Sequence, residues 1–346
     1  YQYIFPYYNF EKELSENFLN STLNFISTGS NNLNNTNHLE TSITNDLALN
    51  GPDFVTKLGL KSNFEIDIKN LNSIGKNSSI YKSSPQIELI SMYHFNSSLP
   101  MIKRGLDYNN FFTPKLSLKI NPHDMKNYSN SDKIINIKNI FNNNRLGLTD
   151  TLESGRSLTA GINYRKQNKN NLNNLFEANL ATVFRDKEEE FIPKKTTLNK
   201  KNSNIFGNIK TNFNELITLN YNFSVNNNYD SIENSEFNTI LNFGDLQTEL
   251  NFIKKSGEMG DDSIFESKII YNFDNSNNLK FNTRRNRKLN LTEYYNLVYE
   301  YNNDCLTAGI KYNKTYYEDR DLKPSEHLFF TITLIPLGEH EQKIEK

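Results

Sequence analysis

The chain has 346 residues, a formal net charge of −1, 36% hydrophobic residues and a mean hydropathy of −0.70. That average, with no apolar run of ~18 residues, excludes helical membrane spans. The near-zero charge gives no sign of a nucleic-acid partner, and the 24 Phe and 19 Tyr argue against disorder, whose sequences lack aromatics.

The chain opens on Tyr1 with neither an initiator Met nor a signal-peptide pattern, so a processed protein or a fragment is expected. Tyr, Phe, Thr, Ile and Asn dominate, which is strand and turn chemistry. Over the first 130 residues, strands are expected at 2–8, 22–27, 41–49, 54–68, 86–95 and 115–120, with Asn/Ser/Gly-rich connections such as 30–37 and 72–79. Phe64, Ile66 and Ile68 alternate with Glu65, Asp67 and Lys69, the period of a strand with two unlike surroundings. Residues 11–20 read equally as a short helix or as a strand end with a loop. In 139–165, Leu158, Ala160, Ile162 and Tyr164 alternate with Ser157, Thr159, Gly161 and Asn163, so the segment ends in a strand. Its middle, Asp150 to Arg156, is a charged bend that matches no metal or phosphate loop.

From residue 176 the rhythm is regular. Strands are expected at 176–185, 204–213, 216–225, 237–243, 246–253, 264–273, 279–285, 292–301, 305–315 and 328–335. Long connections (186–203, 226–236, 254–263, 286–291, 316–327) alternate with short ones (214–215, 244–245, 274–278, 302–304). Up-and-down strands of about ten residues, with the short turns all at one end, mark an outer-membrane β-barrel. The faces agree. Leu219, Tyr221, Phe223 and Val225 oppose Asn220, Asn222 and Ser224, and Leu246, Thr248, Leu250 and Phe252 oppose Gln247, Glu249 and Asn251. Leu291, Glu293, Tyr295, Leu297, Tyr299 and Tyr301 share one parity. A water-filled lumen accepts the polar sets, whereas a dry sandwich core would leave them unpaired at about 1–3 kcal/mol each.

The expected fold is therefore all-β: an antiparallel transmembrane outer-membrane β-barrel, with about 16–18 strands in this chain. Short turns face the periplasm and long loops the outside. Cys305, directly after the turn 302–304, then lies at the periplasmic rim, where disulfides persist. As the single cysteine it is either a free thiol or half of a bond whose partner lies elsewhere. The basic run 284–288 falls at an extracellular strand end, most simply as a solvated loop, although its arginines suit phosphate oxygens.

Two stretches carry a family resemblance. Asn144-Arg145, then Asp150, Glu153, Gly155 and Arg156, running on through Gly161 to Tyr164, resembles a signature of the LptD family of LPS-assembly proteins. Asp304-Cys305, the pair Tyr316-Tyr317, and Asp319-Arg320-Asp321-Leu322-Lys323-Pro324 ahead of Phe329-Phe330 is similar to that family's C-terminal end. Together these frame about 110–335, and residues 1–110 fit only in character.

The resemblance implies a periplasmic jellyroll followed by a barrel of about 26 strands. The chain, 1–346, would then be a C-terminal part of the barrel domain, without the jellyroll and the first strands. It implies a translocon that places lipopolysaccharide in the outer leaflet of a Gram-negative outer membrane, among outer-membrane lipid. Partners would be an LptE-like lipoprotein plug and an LptA-like periplasmic bridge, reached through the missing N-terminal domain. The last strand, with Leu328, Phe330, Ile332 and Leu334, would be one lip of a lateral gate. Cys305 would form an inter-domain disulfide with a partner outside this chain, and Leu306 stands where relatives often carry a second cysteine. Arg145, Asp150, Glu153, Gly155, Arg156, Asp319, Arg320, Asp321 and Pro324 would be structural motif residues. Among them Asp150, Glu153 and Arg156 read as ion pairs holding a loop against the barrel wall.

No catalysis, cofactor or metal is expected, since His38, His94, His123, His327 and His340 are scattered without ligand spacing and no nucleophile motif occurs. The rival readings are a general outer-membrane porin or substrate channel and a surface β-rich adhesin.

Overall fold

The computed structural model of the chain describes residues 2–18, 20–35, 37–213, 216–316, 323–334 and 338–344. Two single-turn 3-10 helices apart, the regular elements among them are twenty β-strands of one large sheet, antiparallel in each described register. The first eight are β1 (Gln2–Phe18), β2 (Ser21–Asn34), β3 (His38–Asn50), β4 (Phe54–Val55), β5 (Lys61–Lys76), β6 (Gln86–Ser98), β7 (Met101–Arg104) and β8 (Tyr108–Asn121). Next come β9 (Gly155–Asn168), β10 (Asn174–Arg185), β11 (Ile205–Phe213) and β12 (Ile217–Val225). The last eight are β13 (Ile232–Phe243), β14 (Leu246–Lys255), β15 (Asp262–Asn272), β16 (Asn277–Asn286), β17 (Leu291–Asn302), β18 (Leu306–Thr315), β19 (Ser325–Leu334) and β20 (Gly338–Ile344). Contacts group the chain into a first unit (Tyr1–Arg165, Asn179–Gly207, Val225–Ser231) and a second (Lys166–Ala178, Asn208–Ser224, Ile232–Lys346).

In the first unit β1, β2, β3, β5, β6 and β8 pair in succession, with β4 and β7 as short hairpin arms on β5 and β8. The burial along these strands is inverted relative to a water-soluble protein. On β6, Ile87 is 79% exposed and Leu89 64%, with Tyr93 and Phe95 beside them, while Ile90, Met92 and His94 point to the covered face. On β8, Leu116 and Leu118 are exposed, whereas Ser117, Lys119 and Asn121 are buried. Such a face loses free energy in water and gains it against hydrocarbon, as strands of outer-membrane barrels do.

What covers the polar face is the chain itself. The connections 122–154 and 186–204 bury Ile135, Ile140, Leu146, Leu148, Leu152, Ile192 and Leu198, and Leu152 clusters with Ile90 and Met92 of β6. The apolar core of this unit is thus a loop core laid against a polar wall.

In the second unit β13 to β20 form an uninterrupted meander. Directly opposed residues share a face, and the registers sort the side chains cleanly. Phe237, Phe252 and Phe265 lie in one row, Ile269 and Phe281 in another, and Leu279, Tyr299, Ile310 and Phe330 in a third. The opposite face carries Glu249, Asn251, Glu266, Lys280, Asn282 and Glu300, and these pair with one another. Asn251 Nδ2 donates to Glu266 at 3.1 Å, Asn238 Nδ2 to Glu249 at 3.1 Å, and Lys280 to Glu300. Rings gather at both ends of the apolar face. Tyr271, Phe273 and Tyr299 meet near the short turns, and Tyr295 and Tyr316 toward the long connections. Two aromatic girdles flanking an apolar band are what two membrane interfaces select.

Several expectations need correction. Of the two readings of 11–20 the strand end holds: residues 11–18 continue β1, because Glu11 and Lys12 find main-chain partners at Ile26 and Phe25 of β2. The expected strand 54–68 is broken at a turn, and β5 instead runs on to Lys76 through the expected connection 72–79. Its Asn residues ladder across the sheet, Asn45 and Asn72 both donating to Asn70 Oδ1 at 3.2 and 2.8 Å, so turn-forming residues here stitch strands. The expected final strand is not last: 338–344 pairs with β19 from Leu328↔Ile344 to Leu334↔Gly338. Glu293 leaves the apolar parity. A bulge between Arg284 and Arg285 adds one residue on β17, and the Glu293 carboxylate lies 2.9 Å from Arg284 Nε on the polar side. The expected turn 214–215 lies outside the described residues.

Phe281 and its neighbour Asn282, near the middle of β16, separate the two faces. Phe281→Arg should destabilise the protein in a bilayer by about 2–4 kcal/mol and Asn282→Arg by under ~1 kcal/mol. Urea unfolding of both variants in lipid vesicles measures this, and equal losses would refute the face assignment.

Candidate functional site

The connection 122–154 enters from β8 and leaves into β9, and nearly every wall strand beneath it sends a polar side chain to its backbone or side chains. Asn121 of β8 donates to the carbonyls of Leu152 and Glu153 at 3.4 and 3.1 Å. The Lys119 ammonium, 2% exposed, donates to the carbonyls of Asn142 and, at 2.8 Å, Asn143. Lys69 of β5 donates to Thr149 O at 2.7 Å and to Asp46 of β3 at 2.5 Å. Asn143 donates in turn to Asp67 of β5. Irregular backbone can be buried only where such partners exist.

At the centre Arg145 and Glu153 form a bidentate pair, Nε to Oε2 at 2.7 Å and Nη2 to Oε1 at 2.6 Å. The other donors of the guanidinium reach Thr159 Oγ1 at 2.8 Å, Ser157 Oγ at 2.9 Å and Ile140 O at 3.3 Å, so all five N–H groups are used. Arg185 of β10 joins from the other side, Nη1 to Glu153 Oε1 at 2.5 Å, and also donates to Ser154 O. Burial alone would push the Glu153 carboxyl up. The Arg145 guanidinium, followed by Arg185 and Lys119, overrules it and holds the group well below the usual carboxylate range. Gly155 closes the bend at φ +79°, and a Cβ there would come within 2.4 Å of Glu189 Oε1 and 3.0 Å of Arg185 Nη2. Gly161 serves the same loop differently: a Cβ would meet the Phe141 ring at 2.8 Å and the Leu180 carbonyl at 2.7 Å.

Asp150 is buried, and among the described residues it forms no ion pair. Tyr81 and Tyr128 each donate a 2.7 Å hydrogen bond to it, one from the connection 77–85 and one from 122–154. Burial, then the Asp150 charge, push both phenols far up, so they stay protonated as donors. The carboxylate therefore ties two connections together.

The expected trio of Asp150, Glu153 and Arg156 does not form as ion pairs among its own members. Glu153 takes Arg145 and Arg185, Asp150 takes two tyrosines, and Arg156 is exposed beside Leu158 on the opposite face of β9. Strand parity explains the last: Ser157 and Thr159 face the clamp, so Arg156 cannot. Cys305 is an exposed free thiol in a tight turn, where Asn303 Oδ1 accepts from the N–H groups of Cys305 and Leu306 at 3.0 and 2.8 Å. Leu328, Phe330, Ile332 and Leu334 are exposed together on the apolar face of β19. Pro324 is exposed ahead of that strand, and Asp319, Arg320 and Asp321 lie outside the described residues. Lys69, Lys119 and Arg185 were missed as site residues. A lysine at a covered parity, as in Leu116-Ser-Leu118-Lys119-Ile120, is the signal that finds the two lysines.

One constellation has the connectivity of a catalytic triad. His94 Nε2 lies 2.6 Å from Ser117 Oγ, and its Nδ1 3.3 Å from Glu65 Oε2. Ser117 is 0% exposed, so no substrate reaches it, and the chain of polar contacts serves the wall. Among the described residues no group of His, Cys, Asp and Glu is arranged to hold a metal.

A family model described as LptD, LPS transport system D, matches residues 2–285, most of the chain. The chain belongs to the LptD family. This is a family of outer-membrane transport proteins, not of enzymes. The clamp and its whole loop lie inside the matched stretch, whereas β17 to β20 and Cys305 lie beyond it. No curated protein matches. Among solved structures, the siderophore receptor PirA from Acinetobacter baumannii is similar at 10% identity and a TM-score of 0.41, over 91% of this chain and 62% of that one. A mutant of the ferric enterobactin receptor PfeA from Pseudomonas aeruginosa is similar at 11% identity and 0.39, over 91% and 59%. The chain thus covers 62% and 59% of the length of these two proteins.

Removing Glu153 from the LptD clamp leaves two buried guanidinium groups facing each other. Glu153→Ala should cost about 3–5 kcal/mol and expose 122–154 to protease, while Arg156→Ala should change stability by under ~0.5 kcal/mol. The depressed carboxyl also fixes the pH dependence. Its contribution is complete above the ordinary carboxylate pKa of about 4.3 and is lost as pH falls through the lower folded value. Limited proteolysis from pH 7 downward in the assembled membrane protein should show resistance of the loop persisting past that ordinary value before it fails.

Proposed function

We propose that this chain is the C-terminal part of the barrel domain of a translocon that delivers lipopolysaccharide to the outer leaflet. Its apolar face meets lipid, and its polar face lines the lumen. The observation that carries this reading is the bolted connection 122–154. A diffusion channel keeps its polar face wet, whereas here buried Lys119, Arg145, Glu153 and Arg185 hold a folded loop, with its own apolar core, against that face. A cargo with acyl chains gains nothing from such a passage straight out, so exit is sideways, between strands. Because β20 pairs with β19, the lip of that exit is β20, the last described strand of the meander, and Leu328, Phe330, Ile332 and Leu334 of β19 stand directly behind it, apolar and exposed toward lipid.

The remaining parts follow the same reading. A periplasmic jellyroll and further barrel strands belong to the full protein, and an LptA-like bridge docks on the jellyroll. An LptE-like lipoprotein occupies the polar face of the second unit, whose Asn, Glu and Lys rows suit a polar partner. The short turns lie on the periplasmic side, so the exposed thiol of Cys305 reaches a cysteine of the N-terminal domain.

Two measurements test this. Depleting the full-length protein in cells should reduce lipopolysaccharide at the surface, read by accessibility to an outer-leaflet modifying enzyme; unchanged surface lipid with reduced uptake of small solutes would instead identify a porin. On non-reducing gels the full-length protein should migrate differently before and after thiol reduction, and Cys305→Ser should abolish the difference.

A further inference from the structure

The apolar face of the second unit carries charge toward its long connections: Lys254 on β14, Lys314 and Glu326 as an ion pair across β18 and β19, and Arg285 on β16. Arg285 stands directly opposite Phe265, and Phe265 opposite Phe252, so all three share the face that carries Ile269, Leu279 and Phe281. Arg287, two residues on, sets its guanidinium over the Phe252 ring, 5.6 Å from the centroid. Among the described residues, neither arginine has a carboxylate within ion-pair distance. The nearby acids are engaged elsewhere: Asp261 by Lys288, and Glu266 and Glu293 by Arg284 on the polar face. Arg285 Nη2 donates to Asn290 Oδ1 at 2.5 Å. Phe265, Arg285, Arg287 and Asn290 together line an open pocket of about 490 Å³.

A cation on a lipid-facing position is heavily penalised at the bilayer midplane and nearly free at the interface. Arg285 lies six residues along β16 from Leu279, roughly 20 Å of strand, on the far side of the Phe281–Tyr295 pair. It therefore sits where the hydrocarbon ends, on the side of the long connections. Two unneutralised guanidinium groups above an apolar band, with aromatic rings as a floor, complement one chemistry: phosphate oxygens attached to acyl chains.

We propose that Arg285 and Arg287, floored by Phe252 and Phe265, form a receiving site for the phosphorylated headgroup of an outer-leaflet glycolipid, lipopolysaccharide. The guanidinium forks take phosphate oxygens, and the acyl chains run down over Ile269, Leu279 and Phe281. The site deepens the translocon reading and rests on its assignment of the apolar face to lipid. β16 is four strands from β20, about 19 Å at ordinary strand spacing. A headgroup leaving at the β20 edge would thus find this cation pair, free of carboxylate partners, on the same face, which draws it away from the exit and disfavours its return.

The test uses the full-length protein in nanodiscs of zwitterionic phosphatidylcholine, titrated with lipopolysaccharide, with phosphatidylglycerol or with inorganic phosphate. Retention is read by native mass spectrometry, and folding by resistance to heat-induced mobility change. The Arg285→Gln/Arg287→Gln double variant should retain lipopolysaccharide at least ~10-fold less well, as expected for loss of two charge-assisted contacts, while Arg284→Gln retains it like the parent. Equal retention by the double variant and the parent would overturn the site and leave the translocon reading standing. A loss confined to Arg284→Gln would overturn the face assignment, and with it the translocon reading. Equal retention of phosphatidylglycerol would overturn the glycolipid assignment in favour of any anionic headgroup. Displacement by millimolar phosphate would reduce the site to one for the free anion.

Discussion

A sheet that turns one face to hydrocarbon cannot use that face to build a core. β6 and β8 of the first unit show this constraint: Ile87, Leu89, Leu116 and Leu118 are spent on the exposed side, and His94, Ser117, Lys119 and Asn121 face inward, with only Ile90 and Met92 of these two strands adding apolar bulk there. The polar wall then has to be satisfied by something. In this chain it is satisfied by irregular backbone, whose carbonyls are the acceptors that Lys69, Lys119 and Asn121 require. The loop contributes in return the apolar residues that the strands cannot, from Ile135 to Leu198. Wall and loop are complementary halves of one interior.

Within that interior the Arg145–Glu153–Arg185 cluster has a role that neutral hydrogen bonds could not fill. A buried ion pair is a poor source of net stability, because desolvation consumes most of the attraction. It is a strong source of specificity, because a displaced loop would leave charges in a dry place with no partner. Glu153 can satisfy two guanidinium groups from one position only, and Arg145 uses all its donors only there. The cluster defines where the loop must be more than how tightly it binds.

Much of this was legible in the sequence, because strand alternation is local information. The face assignments of β14 and β19 followed from counting by two, and the Asp150-to-Arg156 bend stood out as a charged, glycine-containing stretch. What stayed hidden depends on partners far along the chain. Arg185 joins a carboxylate thirty-two positions away, and nothing in its own neighbourhood announces that. Asn70 and Asn72 look like turn residues until strands on both sides give their amides a ladder. The polar stretch 338–344 has no apolar rhythm, and only main-chain pairing with β19 makes it a strand. Arg156 misled in the opposite way, since closeness in sequence to Glu153 puts alternate residues on opposite faces.

The bulge opposite Arg284 and Arg285 has a wider consequence. Counted by parity, Glu293 belongs with Tyr295 and Leu297, and a regular ladder would hold its carboxylate in oil. One extra residue resets the count, so Glu293 turns inward to Arg284 while Thr292 takes the outward place across from Arg285. A bulge is therefore an error-correcting device for a binary code: a charged residue written on the wrong side is moved to the right one without editing the rest of the strand. Insertions of a single residue, ruinous in most sheets, become a permitted evolutionary step where a strand end can absorb them.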